Sequence, residues 1–163
     1  MIDIYLFDWG DTLMVDLPDK QGKMCDWDII EAVSGAEETL AFLSKESKIY
    51  IATGAAESIE SDIKKAFDRA GLSKYISGYF CKSNLGISKG TAQFYKAILS
   101  KISKEASDVA MVGDSLENDI IPASKVGIKT FWLTSEKIQN LPNNTSIIFC
   151  LRDLCRNNKL TNI

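Results

Sequence analysis

The sequence predicts an α/β fold, a Rossmann-like open parallel sheet with helices on both faces. Three observations carry this prediction. Short apolar runs recur along the 163 residues, spaced widely enough for a helix to fit between successive runs. Several runs are apolar without alternation, as expected of strands covered on both faces. The stretches between them are amphipathic and stop at glycines, the pattern of βαβ units whose strands run parallel.

Ile4-Tyr5-Leu6-Phe7 reads as the first buried strand. It ends on Asp8 and breaks into Trp9-Gly10-Asp11-Thr12, residues suited to a tight loop. Residues 14–28 mix acids, lysines, Pro18 and Gly22, and are expected to form a mobile surface loop or flap anchored by Met24 and Trp27. Gly35 precedes an amphipathic helix with Leu40, Phe42 and Leu43 apolar. Lys48-Ile49-Tyr50-Ile51-Ala52 is a second strand that ends at Thr53-Gly54. The next helix places Ile59, Ile63, Phe67 and Ala70 on one face and stops at Gly71. A short third strand is expected over 75–81.

Ser88-Lys89-Gly90 opens another helix, with Phe94, Tyr95, Ile98, Leu99 and Ile102 facing inward. Val109-Ala110-Met111-Val112 is a fourth strand, running into Gly113-Asp114-Ser115. A helix carrying Ile120, Ile121, Ala123 and Val126 follows and stops at Gly127. Fifth and sixth strands are expected over 128–133 and 146–150. The segment 152–163, rich in Asn and Lys, is expected to fray. One domain over 1–163 is the simplest organisation.

Composition restricts the function. Hydrophobic residues at 45% and charged residues at 25% suit a soluble globular protein. A net charge of −3 gives no electrostatic footprint for nucleic acid. No apolar run is long enough to span a bilayer, and the first strand begins so close to Met1 that no signal peptide is expected. Cys25, Cys81, Cys150 and Cys155 show neither a CxxC pair nor zinc spacing, so reduced, buried thiols in a cytoplasmic protein are expected. The chain contains no histidine. Ser-His-Asp and Cys-His mechanisms, histidine metal sites and phosphohistidine intermediates are thereby excluded.

Polar residues stand just past strand ends or at a helix start: Asp8, Thr53, Lys89, Asp114 and Asp119. In a parallel sheet those ends share one edge, so residues distant in sequence converge there. Asp8 and Asp114 would make a hard oxygen site for Mg²⁺. The Thr53 hydroxyl, the Gly54 amide and Lys89 would hold a phosphate. Asp8 could then attack phosphorus in line, giving an aspartyl-phosphate.

These elements resemble the motifs of the haloacid dehalogenase superfamily, in the right order and over roughly residues 2–134. Phe7-Asp8-Trp9-Gly10-Asp11-Thr12-Leu13 is similar to its first motif and Ile51-Ala52-Thr53-Gly54 to its second. Ser88-Lys89-Gly90 is similar to its third, and Val112-Gly113-Asp114-Ser115-Leu116-Glu117-Asn118-Asp119 to its fourth, the most specific of the set. The resemblance implies that Asp8 is the nucleophile and a Mg²⁺ ligand. Asp114 is then the second carboxylate ligand, and the backbone carbonyl of Gly10 a third. Thr53 and Lys89 bind phosphate, Lys89 also restrains Asp8, and Asp119 orients Lys89 or a water on the metal, or binds the metal itself. Lys82 is a rival for the role of Lys89, though it follows the third strand closely.

The first motif departs from the family pattern at one position. The usual second Asp, two residues after the nucleophile, acts as general acid and then base; here that residue is Gly10. Asp11 lies one residue late, where an extended chain would point it the other way, so it is a candidate stand-in or a loop-stabilising carboxylate. General acid–base help is worth about 10²–10⁴ in rate, so its loss should slow turnover. Phosphonoacetaldehyde hydrolases of the same superfamily also lack this Asp, but their Schiff-base lysine sits on a cap domain for which the motif spacing here leaves no room.

A capless member is therefore expected, with an open site that admits a bulky phosphorylated substrate unless a neighbouring subunit or the 14–28 loop excludes water. Trp9, Trp27 and Trp132 are expected to pack rather than to stack on substrate. A two-component receiver domain would need its phosphorylated Asp at the third strand, where Tyr79-Phe80-Cys81 offers none. Two functions follow: a Mg²⁺-dependent phosphatase acting on a phosphate monoester, and a regulatory phosphate-binding protein that has lost turnover.

Overall fold

The strands alternate between two buried sides, and that alternation builds two cores. In the computed structural model, which describes residues 1–55 and 57–160 with side chains to 156, Tyr5 and Phe7 face one core while Ile4 and Leu6 face the other. All four are buried because helices cover both faces. Six strands pair in parallel: β1 (Ile4–Phe7), β2 (Lys48–Ala52), β3 (Gly78–Phe80), β4 (Val109–Gly113), β5 (Lys129–Leu133) and β6 (Thr145–Ile148). Their order is β3-β2-β1-β4-β5-β6. The winding direction reverses between β1 and β4, the position where open α/β sheets form their ligand crevice. Phe7 stands level with Val112 and Ile51, so the chain leaves β1, β2 and β4 at the same height.

On one face lie α1 (Ala36–Leu43), α2 (Glu60–Arg69) and α6 (Asp153–Leu160), which contribute Leu40, Ile63, Phe67 and Leu154. On the other lie α4 (Ala92–Ile102) and α5 (Ile121–Lys125), with α3 (Lys82–Leu85) as a single turn ahead of α4. Phe94, Tyr95, Ile98 and Ala123 fill that second core. Among the described residues no helix is long and apolar enough to cross a membrane.

Four expectations need correction. The third strand is shorter than 75–81, because 73–75 form a 3-10 turn before the chain extends. The helix after Lys89 begins at Ala92, where the Thr91 hydroxyl accepts from the Phe94 amide; Lys89 belongs to the preceding loop.

The segment from Arg152 does not fray over 153–160. Asp153 caps the amides of Phe149 and Cys150 at 2.9 and 3.1 Å, and Leu151 and Leu154 are buried, so a helix forms despite its polar composition. Residues 161–163 lie outside the described residues. The 14–28 segment is also no free flap. Met24, Cys25 and Trp27 are buried, and Arg69 on α2 donates to the carbonyls of Cys25 and Trp27 at 2.9 and 2.6 Å. Lys23–Asp62 and Lys65–Asp26 ion pairs fasten it further. The four cysteines are unpaired as expected; Cys25 and Cys81 are buried, but Cys150 is exposed.

Candidate active site

The site grows from the ends of β1, β2 and β4. The Asp8 amide continues the ladder by donating to the Val112 carbonyl at 2.9 Å, which fixes the backbone that carries the carboxylate. Thr53 is held in the same way through the Phe80 carbonyl. Its hydroxyl accepts from the Ala55 amide at 3.1 Å, which leaves its proton free to donate. A third anchor sits across the crevice, where the Trp132 indole on β5 donates to the Asp114 carbonyl at 2.9 Å.

Lys89 ties the two sides together. Its ammonium donates to Asp8 Oδ1 at 2.5 Å and to the Ala52 carbonyl at 2.8 Å, and pairs by charge with Asp119 Oδ1 at 2.5 Å, which among the described residues accepts no hydrogen bond. The side chain is only 5% exposed, which removes it from solvent screening. Burial works against the charged amine, but Asp8 and Asp119 outweigh it and hold Lys89 above the ordinary lysine range. Lys89, and not Lys82, is the lysine that reaches Asp8. Gly54 packs against the Lys89 stem, where a Cβ would stand 3.4 Å from the Lys89 Cβ.

Asp119 is delivered by an unusual piece of backbone. Leu116–Ile120 forms a π-helical turn, and Asp119 Oδ2 folds back to accept from the Ser115 amide at 3.0 Å. That reversal requires Gly113: a Cβ there would stand 2.1 Å from Asp119 Oδ2, well inside any real contact. Tyr95 reinforces the turn through the Asn118 carbonyl at 3.0 Å.

The remaining carboxylates face one another. Asp8, Asp114 and Asp119 each offer an oxygen within 4.8 Å of the others. The Thr12 hydroxyl lies between Asp8 Oδ2 (3.3 Å) and Asp114 Oδ1 (3.2 Å), but one hydroxyl proton satisfies only one of them. Burial first, and Asp8 second, push Asp114 up to about 7. Asp119 is also raised, by burial opposed by Lys89. Oxygen donors of this kind, with more negative charge than Lys89 alone balances, fit a hard divalent cation.

Asp8, Lys89 and Asp119 border a cleft of about 520 Å³ that also touches Thr53, Gly54, Trp27 and Lys23. Trp9, Trp27 and Trp132 are buried, and Trp9 and Trp27 also border the cleft. Asp11 is brought elsewhere. It sits in the left-handed region (φ 58°), is exposed, and its carboxylate accepts from the Asp16 amide at 2.9 Å. Sequence reasoning gave no role to Thr12, Gly113 or Asp16. Thr12 and Gly113 lay in plain view inside the first and fourth motifs. Asp16 carried no local signal, because only the turn at Asp11 returns it to the cleft.

Among curated proteins, the pyrimidine 5'-nucleotidase PynA of Streptococcus pneumoniae is 30% identical over 114 residues, covering 68% of this chain and 46% of its own. The ribulose-1,5-bisphosphate 5-phosphatase of Halopiger xanaduensis is 31% identical over 99 residues, 60% of this chain and 40% of its own. The chain thus spans less than half the length of these relatives. In fold it is similar to a Listeria monocytogenes protein (TM-score 0.85, 20% identity, 99% of this chain and all of that one). It is also similar to the magnesium-bound HAD-hydrolase YfnB of Bacillus subtilis (TM-score 0.76, 16% identity, 99% of each chain). A family model for haloacid dehalogenase-like hydrolases matches residues 6–127, and the chain belongs to that family.

Proposed function

We propose that the chain is a Mg²⁺-dependent phosphatase that hydrolyses a phosphate monoester through an aspartyl-phosphate on Asp8. The observation that carries this reading is the Asp8–Lys89–Asp119 chain of ion pairs beside Asp114 at the reversal point of the sheet. The phosphatase names of the two curated relatives support it. Asp8, Asp114 and the Gly10 carbonyl would hold Mg²⁺, with Asp119 adjoining. When bound, the ion withdraws charge from the phosphate and offsets its repulsion of Asp8.

The chain's own groups do the rest. The Thr53 hydroxyl and the Gly54 amide hold the phosphoryl oxygens, with the Lys89 charge beside them. Lys89 fixes the Asp8 carboxylate so that one of its oxygens faces phosphorus. The new Asp8 O–P bond forms as the bond from phosphorus to the leaving oxygen breaks, and that oxygen takes a proton. Water then attacks phosphorus, loses a proton, and returns Asp8 as a carboxylate with release of phosphate. Four unpaired thiols support a cytoplasmic setting for this chemistry.

Gly10 favours the second reading, a regulatory phosphate-binding protein without turnover. An aryl phosphate and an alkyl phosphate assayed with Mg²⁺ and with EDTA separate the two. The phosphatase reading expects phosphate release that stops in EDTA. Absence of release, of a burst and of phosphoprotein from either ester would overturn it.

A further inference from the structure

The two proton transfers above need an acid and then a base beside the leaving oxygen, and the groups already named are committed. Lys89 donates to Asp8 and Ala52 and pairs by charge with Asp119. Asp119 accepts from the Ser115 amide and pairs with Lys89, and Lys23 pairs with Asp62. Two other carboxylates border the cleft, Asp16 and Glu57. Glu57 follows the β2 end by way of Thr53-Gly54, the residues proposed to hold the phosphoryl oxygens.

Asp16 lies on the Asp8 side. The chain leaves β1 at Asp8, turns over at Asp11, and returns so that Met14 bridges back to Gly10. The Trp9 carbonyl accepts from Leu13 and Met14, the Val15 amide reaches the Glu31 carbonyl at 2.8 Å, and the Asp16 amide donates to Asp11. This places the Asp16 side chain against Gly10: its Cβ, Oδ2 and Cγ lie 3.5, 3.6 and 3.8 Å from where a Cβ of residue 10 would stand. Among the described residues the Asp16 carboxylate has no hydrogen-bond or ion-pair partner, and it is exposed to the cleft. An uncommitted carboxyl on anchored backbone, next to the nucleophile's own loop, has the freedom and the position that the proton transfers require.

We infer that Asp16 is the general acid and base of this site and that Asp11 is the residue that positions it, an inference that rests on the phosphatase reading. As the P–O bond breaks, the Asp16 carboxyl gives its proton to the leaving oxygen. Its carboxylate then takes a proton from the water that attacks phospho-Asp8, which regenerates the acid. Asp11 acts through the backbone alone.

The test uses the full chain with Mg²⁺, an aryl phosphate and an alkyl phosphate. Asp16→Asn should lower alkyl phosphate turnover by about 10²-fold or more. With the aryl ester, whose leaving group needs no proton, it should give a burst stoichiometric with enzyme, a slow steady state and accumulated phosphoprotein. Gly10→Asp added to Asp16→Asn should restore turnover, because a Cβ at residue 10 meets its neighbours only at ordinary van der Waals distances. Asp11→Ala should lower turnover, and Asp11→Asn, which keeps the acceptor and tolerates the left-handed backbone, should rescue it.

Wild-type kinetics in Asp16→Asn overturn the inference and leave the phosphatase reading intact. The same burst in Glu57→Gln moves the role to Glu57 and overturns it. A loss of Mg²⁺ affinity in Asp16→Asn, measured by calorimetry, makes Asp16 a metal ligand and overturns it. A wild type that forms phospho-Asp8 without turning it over overturns it too, whereas a wild type that takes up no phosphoryl group overturns both readings.

Discussion

The loops that leave β1 and β4 face each other across the same crevice but are built on different terms. The β4 loop is held at several points: Asp119 against Ser115 and Lys89, the Asp114 carbonyl against Trp132, and the turn against Tyr95. In the β1 loop Asp8 is fixed, but the next carboxylates are Asp11, at a left-handed turn, and Asp16, free at the cleft edge. The contrast separates the part of the site that must hold charge in place from the part that must exchange protons. Rigid, buried ion pairs suit the first, and an exposed carboxyl on a fixed backbone suits the second.

The largest effect should fall on the residue that joins the loops. Lys89→Met leaves Asp8 and Asp119 buried without their cation, and removing one partner of such a pair costs about 3–5 kcal/mol. Urea unfolding in EDTA would measure that loss, and a smaller change would mean that the two loops hold their carboxylates apart without the lysine.

The two glycines sharpen the contrast further. Gly113→Ala would drive a methyl into Asp119 Oδ2, and overpacking of this kind destabilises by about 1–3 kcal/mol. Thermal unfolding would register it as a lowered Tm. Gly10→Ala places its methyl at an ordinary 3.5 Å from the Asp16 Cβ and carries no left-handed strain. It should change stability by no more than about 0.5 kcal/mol. Equal losses at the two glycines would erase the distinction drawn between the loops.

The sheet was readable because its signals are local. Apolar runs such as Ile4–Phe7 and Val109–Gly113 announce strands whatever surrounds them, and each ends in a carboxylate or glycine that marks the crevice. The convergence of Asp8, Lys89, Asp114 and Asp119 followed from topology, since parallel strands bring their ends to one edge. Asp153–Leu160 was hidden because its composition is polar; its stability comes from the Asp153 cap and the burial of Leu154, neither of which periodicity reveals. The 14–28 segment was legible in its anchors, Met24 and Trp27, but not in how firmly it is fastened, for a related reason. Arg69 and Asp62, more than thirty residues away, fasten it, and no local pattern encodes so distant a partner. Asp16 stayed invisible on the same account, because its place depends on the turn at Asp11 and on the missing side chain at Gly10.

All of this depends on Asp8 becoming phosphorylated. The most direct test is mass spectrometry of the protein quenched during turnover of an aryl phosphate, with and without Mg²⁺ and with Asp8→Asn as control. The account predicts a hydroxylamine-labile phosphoryl adduct on the peptide that carries Asp8, formed only with Mg²⁺ and absent from Asp8→Asn. A protein that hydrolyses the ester while bearing no such adduct, or bearing it on another residue, would contradict it.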